Sequence, residues 1–229
     1  MHRPQAPRIL FSMNLSRRAL IMLGAAAQPF MRSQNSPAGR ITADEALKAL
    51  MAGNERFLKG ETVAPRRSPA DFSSVALHQA PKAIVIACAD SRVPPEILFD
   101  QGVGDLFVIR VAGNIVNRAE AGVIGSMAFA VLVLGAPLVM VLGHSNCGAV
   151  EAALSGKKDS LPPSIRALVT MIQPGSEKEL PQAIAANVKA GVINAKVIEP
   201  AFHQLIQKGQ LKIMGGVYDL ASGRVSLVV

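Results

Sequence analysis

A chain of 229 residues that is 50% hydrophobic and only 17% charged supports one sizeable core, and its two cysteines are too few for a disulfide-stapled scaffold. The formal charge of +8 invites a nucleic-acid reading, but Arg3, Arg8, Arg17, Arg18, Arg32 and Arg40, with no acid among the first 40 residues, supply six of those charges. The remaining chain carries only +2, which excludes the broad basic footprint that nucleic-acid binding needs.

The amino-terminal charge has its own explanation. Ser16-Arg17-Arg18 precedes a short apolar stretch, Ile21 to Ala27, that ends in Ala25-Ala26-Ala27. A charged region, a modest apolar region and an Ala-rich exit describe an export signal over residues 1–27, and the paired arginines resemble an address read by the twin-arginine export machinery. This implies a periplasmic or otherwise exported protein; an amphipathic helix or a disordered tail, and with it a cytoplasmic protein, is the alternative. The apolar run is too short to span a bilayer. Residues 28–40, rich in Ser, Pro, Gln and Asn, read as a linker, and residues 41–229 as one folded domain.

Within that domain, Thr42-Ala-Asp-Glu45 is a capping-box pattern that predicts a helix from about residue 43. A Pro- and Arg-containing loop follows over 61–68, and a short helix is expected over 71–80. The unbroken apolar run 83–87 predicts a parallel strand covered on both faces. Pro94-Pro95 open a short helix, and 106–111 is a second strand. A buried helix is expected over 120–134, a third strand over 138–142, and a helix over 147–154. Two further helical stretches, 165–172 and 179–207, precede two strands at 211–218 and 224–229. Strands alternating with helices predict an α/β fold with a mainly parallel β-sheet flanked by helices.

Chemistry gathers at two strand ends, Cys88-Ala-Asp90-Ser-Arg92 and His144-Ser-Asn-Cys147-Gly148. Thiolate sulfur and imidazole nitrogen are the donors Zn²⁺ prefers, and His144 with Cys147 three residues later can close on one ion from a single strand-to-helix turn. Cys88 completes a Cys₂His set. Three protein ligands with an open fourth position mark a catalytic zinc site, and no third cysteine exists to close the shell. Two buried thiols without metal, or a disulfide, are the alternatives. Ligands of such sheets bind beyond the carboxyl ends of the strands, where these residues fall, and the start of a helix at Cys147 favours a thiolate.

Cys-x-Asp-x-Arg followed some 50 residues later by His-x-x-Cys-Gly resembles the signature of the β-class carbonic anhydrases, and the likeness extends over nearly everything after residue 40. The resemblance implies one Zn²⁺ per chain held by Cys88, His144 and Cys147. It also implies an Asp90–Arg92 dyad that serves the zinc-bound water, and reversible hydration of CO₂ to bicarbonate and a proton through zinc-bound hydroxide. In this picture Asp90 accepts the hydrogen bond of that hydroxide, and Arg92 locks the carboxylate with two parallel hydrogen bonds. The alternative for the pair is an ordinary surface ion pair worth at most about 1 kcal/mol. Because two thiolates cancel the charge of the metal, the rate is expected to climb through mildly alkaline pH, and a flat profile from about pH 6 to 9 would count against the assignment.

The same resemblance assigns Gln79, Phe107 and Gly148 to the substrate pocket and Arg110 to the neighbourhood of a subunit boundary. It implies a homodimer or a larger assembly with the site at that boundary. Three departures stand out: Phe129 replaces a tyrosine of plant-like members, Ala112 a larger aliphatic residue, and Val85 the tryptophan of bicarbonate-regulated bacterial members. His2 falls in the export segment, His203 reads as a surface or core histidine, and His78 lies next to Gln79. Two other readings remain open, hydrolysis of CS₂ or COS with the same metal set, and a non-catalytic zinc or thiol-responsive protein.

Overall fold

The structure, a computed structural model, describes residues 41–229; the export segment expected over 1–27 and the linker over 28–40 lie outside the described residues. Five strands, β1 Ala83–Ala87, β2 Leu106–Arg110, β3 Leu138–His144, β4 Lys212–Tyr218 and β5 Val225–Leu227, form one sheet in the order β2-β1-β3-β4-β5. The first four are parallel, and only β5 runs antiparallel, beside β4. The helices are α1 Ala43–Lys59, α2 Pro95–Leu98, α3 Ala121–Leu132, α4 Gly148–Leu154, α5 Pro163–Thr170, α6 Leu180–Ile198 and α7 Pro200–Gln207. Among the described residues no helix is long and apolar enough to cross a membrane.

Side chains of successive strand residues point to opposite faces, so a sheet buried on both sides needs apolar residues at every position. β1 and β3 meet this requirement, with every residue buried. Ile84, Ile86, Val139 and Val141 face α3, α6 and α7, whose Met127, Val188, Val192 and Phe202 fill that layer. Ala83, Val85, Ala87, Met140 and Leu142 face the opposite layer, which Leu50 of α1 and Leu98 of α2 close. A third cluster, built from Val150, Val169, Ile172, Ala183 and Ile184, packs around Cys88 and Cys147 beyond the strand ends.

α1 begins as its sequence dictates: Thr42 accepts from the Glu45 N–H and the Glu45 carboxylate accepts from the Thr42 N–H. Gly60 ends it in the left-handed conformation, at φ 71°. Three expectations require correction. Over 71–80 there is a 3₁₀ helix at Pro69–Ser74 and no helix beyond it; Ser74 Oγ bonds back to the Asp71 carbonyl at 3.1 Å, a local bond that competes with the helical pattern. The stretch 179–207 is two helices, because Pro200 has no N–H to continue the first and holds Glu199 extended at φ −118°, ψ 116°. α3 is covered on one side only: Val123, Met127, Ala130 and Val131 are buried while Phe129 and Leu132 are 42% and 41% exposed.

Candidate metal centre

β1 and β3 are neighbours, with Ala87 opposite Leu142, so the residues just past β1 and at the end of β3 meet at the same edge of the sheet. Cys88 follows β1 directly, and His144 is the last residue of β3. The chain then turns through Asn146, in the left-handed region at φ 55°, and Cys147 caps the amino end of α4. Parallel pairing and one tight turn thus bring together two cysteines and a histidine 59 residues apart in the chain. One ligand atom from each of Cys88, His144 and Cys147 lies within 4.8 Å of the other two, and all three residues are buried.

The donor set is prepared for a cation. His144 Nδ1 lies 2.8 Å from the Ser145 carbonyl, which can only accept, so Nδ1 carries the proton and Nε2 offers a lone pair. Ser145 is itself fixed: its N–H donates to the Tyr218 carbonyl at 2.8 Å and its Oγ accepts from the Leu220 N–H at 2.9 Å. His144 Nε2 is buried and has no hydrogen-bond partner, a costly state for a polar atom unless something binds there. The hydrogen bond from Cys147 holds the Cys88 thiol down at about 4, while that same contact pushes the Cys147 thiol up. Two touching sulfurs cannot both ionise without a cation between them, so the expected thiolate at Cys147 requires the metal. Burial lowers the His144 pKa, but the Cys88 sulfur more than offsets it and raises it above the ordinary value. Buried soft donors, an orphaned imidazole nitrogen and surplus negative charge fit one zinc ion.

Asp90 and Arg92 meet as expected. Arg92 Nε donates to Asp90 Oδ1 at 2.9 Å and Nη2 to Oδ2 at 2.7 Å, the two-pronged geometry that fixes a carboxylate in plane. The Arg92 hydrogen bonds hold the Asp90 carboxyl well below the usual carboxylate range, and so Asp90 is an anion at neutral pH. Its Oδ2 lies 3.8 Å from His144 Nε2, which puts an oriented carboxylate at the rim of the cluster.

The pocket residues divide. Gly148 follows Cys147 and, with Ala112, Ala149, Ile165 and Leu168, lines an apolar cavity of about 470 Å³. Gln79 and Phe107 lie elsewhere. Gln79 is exposed and precedes β1, whereas Cys88 follows it, so about 16 Å of extended strand separates the two levels. Phe107 pairs with Ile84 in the amino-terminal half of β1 and packs against the main core. Within one chain, neither is brought to the cluster. Sequence reasoning missed Gly113, whose N–H donates to Cys88 Sγ at 3.3 Å, and Asn187, whose Nδ2 donates to the Gly113 carbonyl at 2.9 Å. The Gly113-Asn114 pair does signal left-handed backbone, adopted here at φ 72° and 44°. Asn187, 74 residues on, carries no local signal.

A family model described as carbonic anhydrase matches residues 83–225. A carbonic anhydrase of Mycolicibacterium smegmatis is 39% identical over 191 residues, which are 80% of this chain and 91% of that relative. One of Pseudomonas aeruginosa is 41% identical over 168 residues, 67% of this chain and 76% of the relative. A solved β-carbonic anhydrase of Coccomyxa, in complex with acetazolamide, superposes with a TM-score of 0.61 at 30% identity, covering 68% of this chain and 75% of that one.

Proposed function

Because this chain belongs to the β-class carbonic anhydrase family, we propose that it performs the reversible hydration of CO₂ to bicarbonate and a proton at a zinc site formed by Cys88, His144 and Cys147. The observation that carries this reading is the buried Cys₂His cluster with an Arg-locked carboxylate at its rim. β-Carbonic anhydrases use zinc, and the chemistry the bound ion supplies is Lewis-acid activation of water.

The chain's own residues do the rest. Asp90 is charged, held in plane by Arg92, and accepts a hydrogen bond from the attacking water, so that an oxygen lone pair is aimed at the carbon of CO₂. Arg92 occupies both carboxylate oxygens, so an Asp90 that closed the cluster, as a non-catalytic site would require, would have to give up these bonds. The small residues Ala112, Gly148 and Ala149 leave room for a gas-sized, apolar substrate next to Cys147.

The reading extends to assembly and address. The chain forms at least a homodimer with the pocket at the subunit boundary. The half-exposed Phe129 and Leu132 on α3 support this, as does the position of Gln79 and Phe107, which reach a metal cluster only if it belongs to a second copy. Residues 1–27 direct the protein to the twin-arginine export machinery and the periplasm, a reading supported by Ser16-Arg17-Arg18 and the Ala-rich exit of the apolar stretch. Replacing Arg17 and Arg18 by lysine should shift the protein from the periplasmic to the cytoplasmic fraction.

The deciding experiment is stopped-flow CO₂ hydration on metal-quantified protein lacking residues 1–27. One zinc per chain and a hydration rate that disappears on chelation and returns with zinc are expected. Purified protein without stoichiometric metal, or with metal and no hydration, overturns the reading.

A further inference from the structure

Arg110 is the last residue of β2 and stands opposite Ala87, so its side chain leaves the sheet where β1 gives way to the Cys88 loop. Its Nε donates to the Cys88 carbonyl at 3.2 Å, and its Nη2 donates to the Asp90 carbonyl. One planar cation thus joins the backbone of the residue that offers a sulfur to that of the residue that offers the carboxylate. Among the described residues the Cys88 carbonyl has no other hydrogen-bond donor, and the Asp90 carbonyl has only the local Val93 N–H, at 3.1 Å.

The remaining restraints on Asp90 come from its own loop. The Arg92 N–H, Nε and Nη2 all bind the Asp90 carboxylate from two residues away, so they travel with the loop and fix the shape of the dyad rather than its place. Arg110 belongs to a different strand, paired in register with β1, and ties these carbonyls to the rigid sheet. We propose that Arg110 is a positioning residue that fixes the separation between the Cys88 sulfur and the Asp90 carboxylate by clamping their two carbonyls with one guanidinium. The proposal rests on the reading of Cys88, His144 and Cys147 as the zinc ligands. A lysine at this position would supply a single point charge on a flexible stem, unable to hold two carbonyls in one plane.

The test compares Arg110→Gln and Arg110→Lys with the zinc-loaded parent chain. Transfer of zinc to excess chelator, kcat and KM for CO₂ hydration, thermal unfolding and assembly mass are all measured. Outer-shell partners of metal ligands typically contribute 10–100-fold to affinity or activity, so Arg110→Gln should release zinc about tenfold faster and lose about tenfold in kcat, with KM little changed. Arg110→Lys should recover only part of either loss, and melting temperature and mass should stay at parent values. Parent-like zinc release and kcat in Arg110→Gln overturn the proposal. So does full rescue by lysine, which would reduce the role to charge, or a loss that follows a fall in assembly mass. If the parent holds zinc but does not hydrate CO₂, the functional reading fails while the zinc-release comparison still decides the role of Arg110.

Discussion

Asp90 must be charged, oriented and close to the metal without occupying it. The two bonds from Arg92 meet the first two needs, and the 3.8 Å between Asp90 Oδ2 and His144 Nε2 meets the third. Asp90→Ala should therefore lower kcat/KM by roughly 10²-fold, the scale of a misplaced reacting group, while zinc content stays at the parent value. Loss of metal in that variant would make Asp90 a ligand instead. These residues were legible in the sequence because cysteine, histidine, aspartate and arginine at short spacings limit what chemistry can be built. Arg110 was singled out only for a subunit boundary, and neither its bonds to the Cys88 and Asp90 carbonyls nor that of Asn187 to the Gly113 carbonyl were legible, since these partners lie 20 to 74 residues away and are main-chain atoms that any residue supplies. Asp100 offers a second test at this scale. Burial pushes its carboxyl up, but the Val63 and Ala64 N–H groups and Arg56 outweigh this and hold it below the ordinary value. A group held down in the fold and released to about 3.9 on unfolding adds stability above that pH and loses it as pH falls through the folded value. Asp100→Asn should thus melt earlier at pH 7, and the gap to the parent should narrow below about pH 4 in thermal scans. A gap that does not change with pH would show that the lost hydrogen bonds, not the charge, account for it.

Elements were legible where periodicity and punctuation agreed. The capping box gave the start of α1 to the residue, and the five-residue apolar run gave β1 its bounds. Legibility failed where a single residue overrode a pattern, as Pro200 did in dividing α6 from α7, and where an apolar helix was taken as wholly buried. α3 is apolar on both sides, and composition alone does not say which side meets the sheet. The docking of α1 depends on one side chain. Asn54, 1% exposed, donates to the Leu98 and Gly223 carbonyls at 3.0 Å each and accepts from the Val225 N–H at 2.9 Å, so it joins α1 to α2 and to β5. Asn54→Ala strands three backbone groups, those of Leu98 and Val225 buried and that of Gly223 part-buried, and should cost about 2–5 kcal/mol, at about 1–3 kcal/mol for each unsatisfied group with partial relaxation. In a domain of this size that corresponds to a fall in melting temperature of roughly 5–15 °C. None of these three bonds involves Cys88, His144 or Cys147, so zinc content should be retained. A parent-like melting temperature would mean that water replaces all three bonds.

At the scale of the whole molecule, the parallel order β2-β1-β3-β4 places every strand's carboxyl end at one edge, and this is why two motifs 56 residues apart build one centre. The same geometry separates Gln79 from that centre, because a residue before β1 and a residue after it stand at opposite edges. A pocket that includes Gln79 then needs a second copy of the chain, and the sequence of one chain carries no signal that distinguishes a contact within it from a contact across an interface. The surface we propose for that contact is α3. Phe129 and Leu132 are about two-fifths exposed, and a Cβ added at Gly122 or Gly125 would meet nothing within 4 Å, so a partner can approach the helix backbone closely. Phe129→Glu places a charge in the middle of this face without touching the core beneath it. It should lower the assembly mass measured by sedimentation velocity and, with it, kcat/KM for CO₂ hydration, while zinc stays bound at the parent ratio. If the mass falls and the rate does not, each chain holds a complete pocket and Gln79 takes no part in it. If neither changes, α3 is not the face through which the subunits meet.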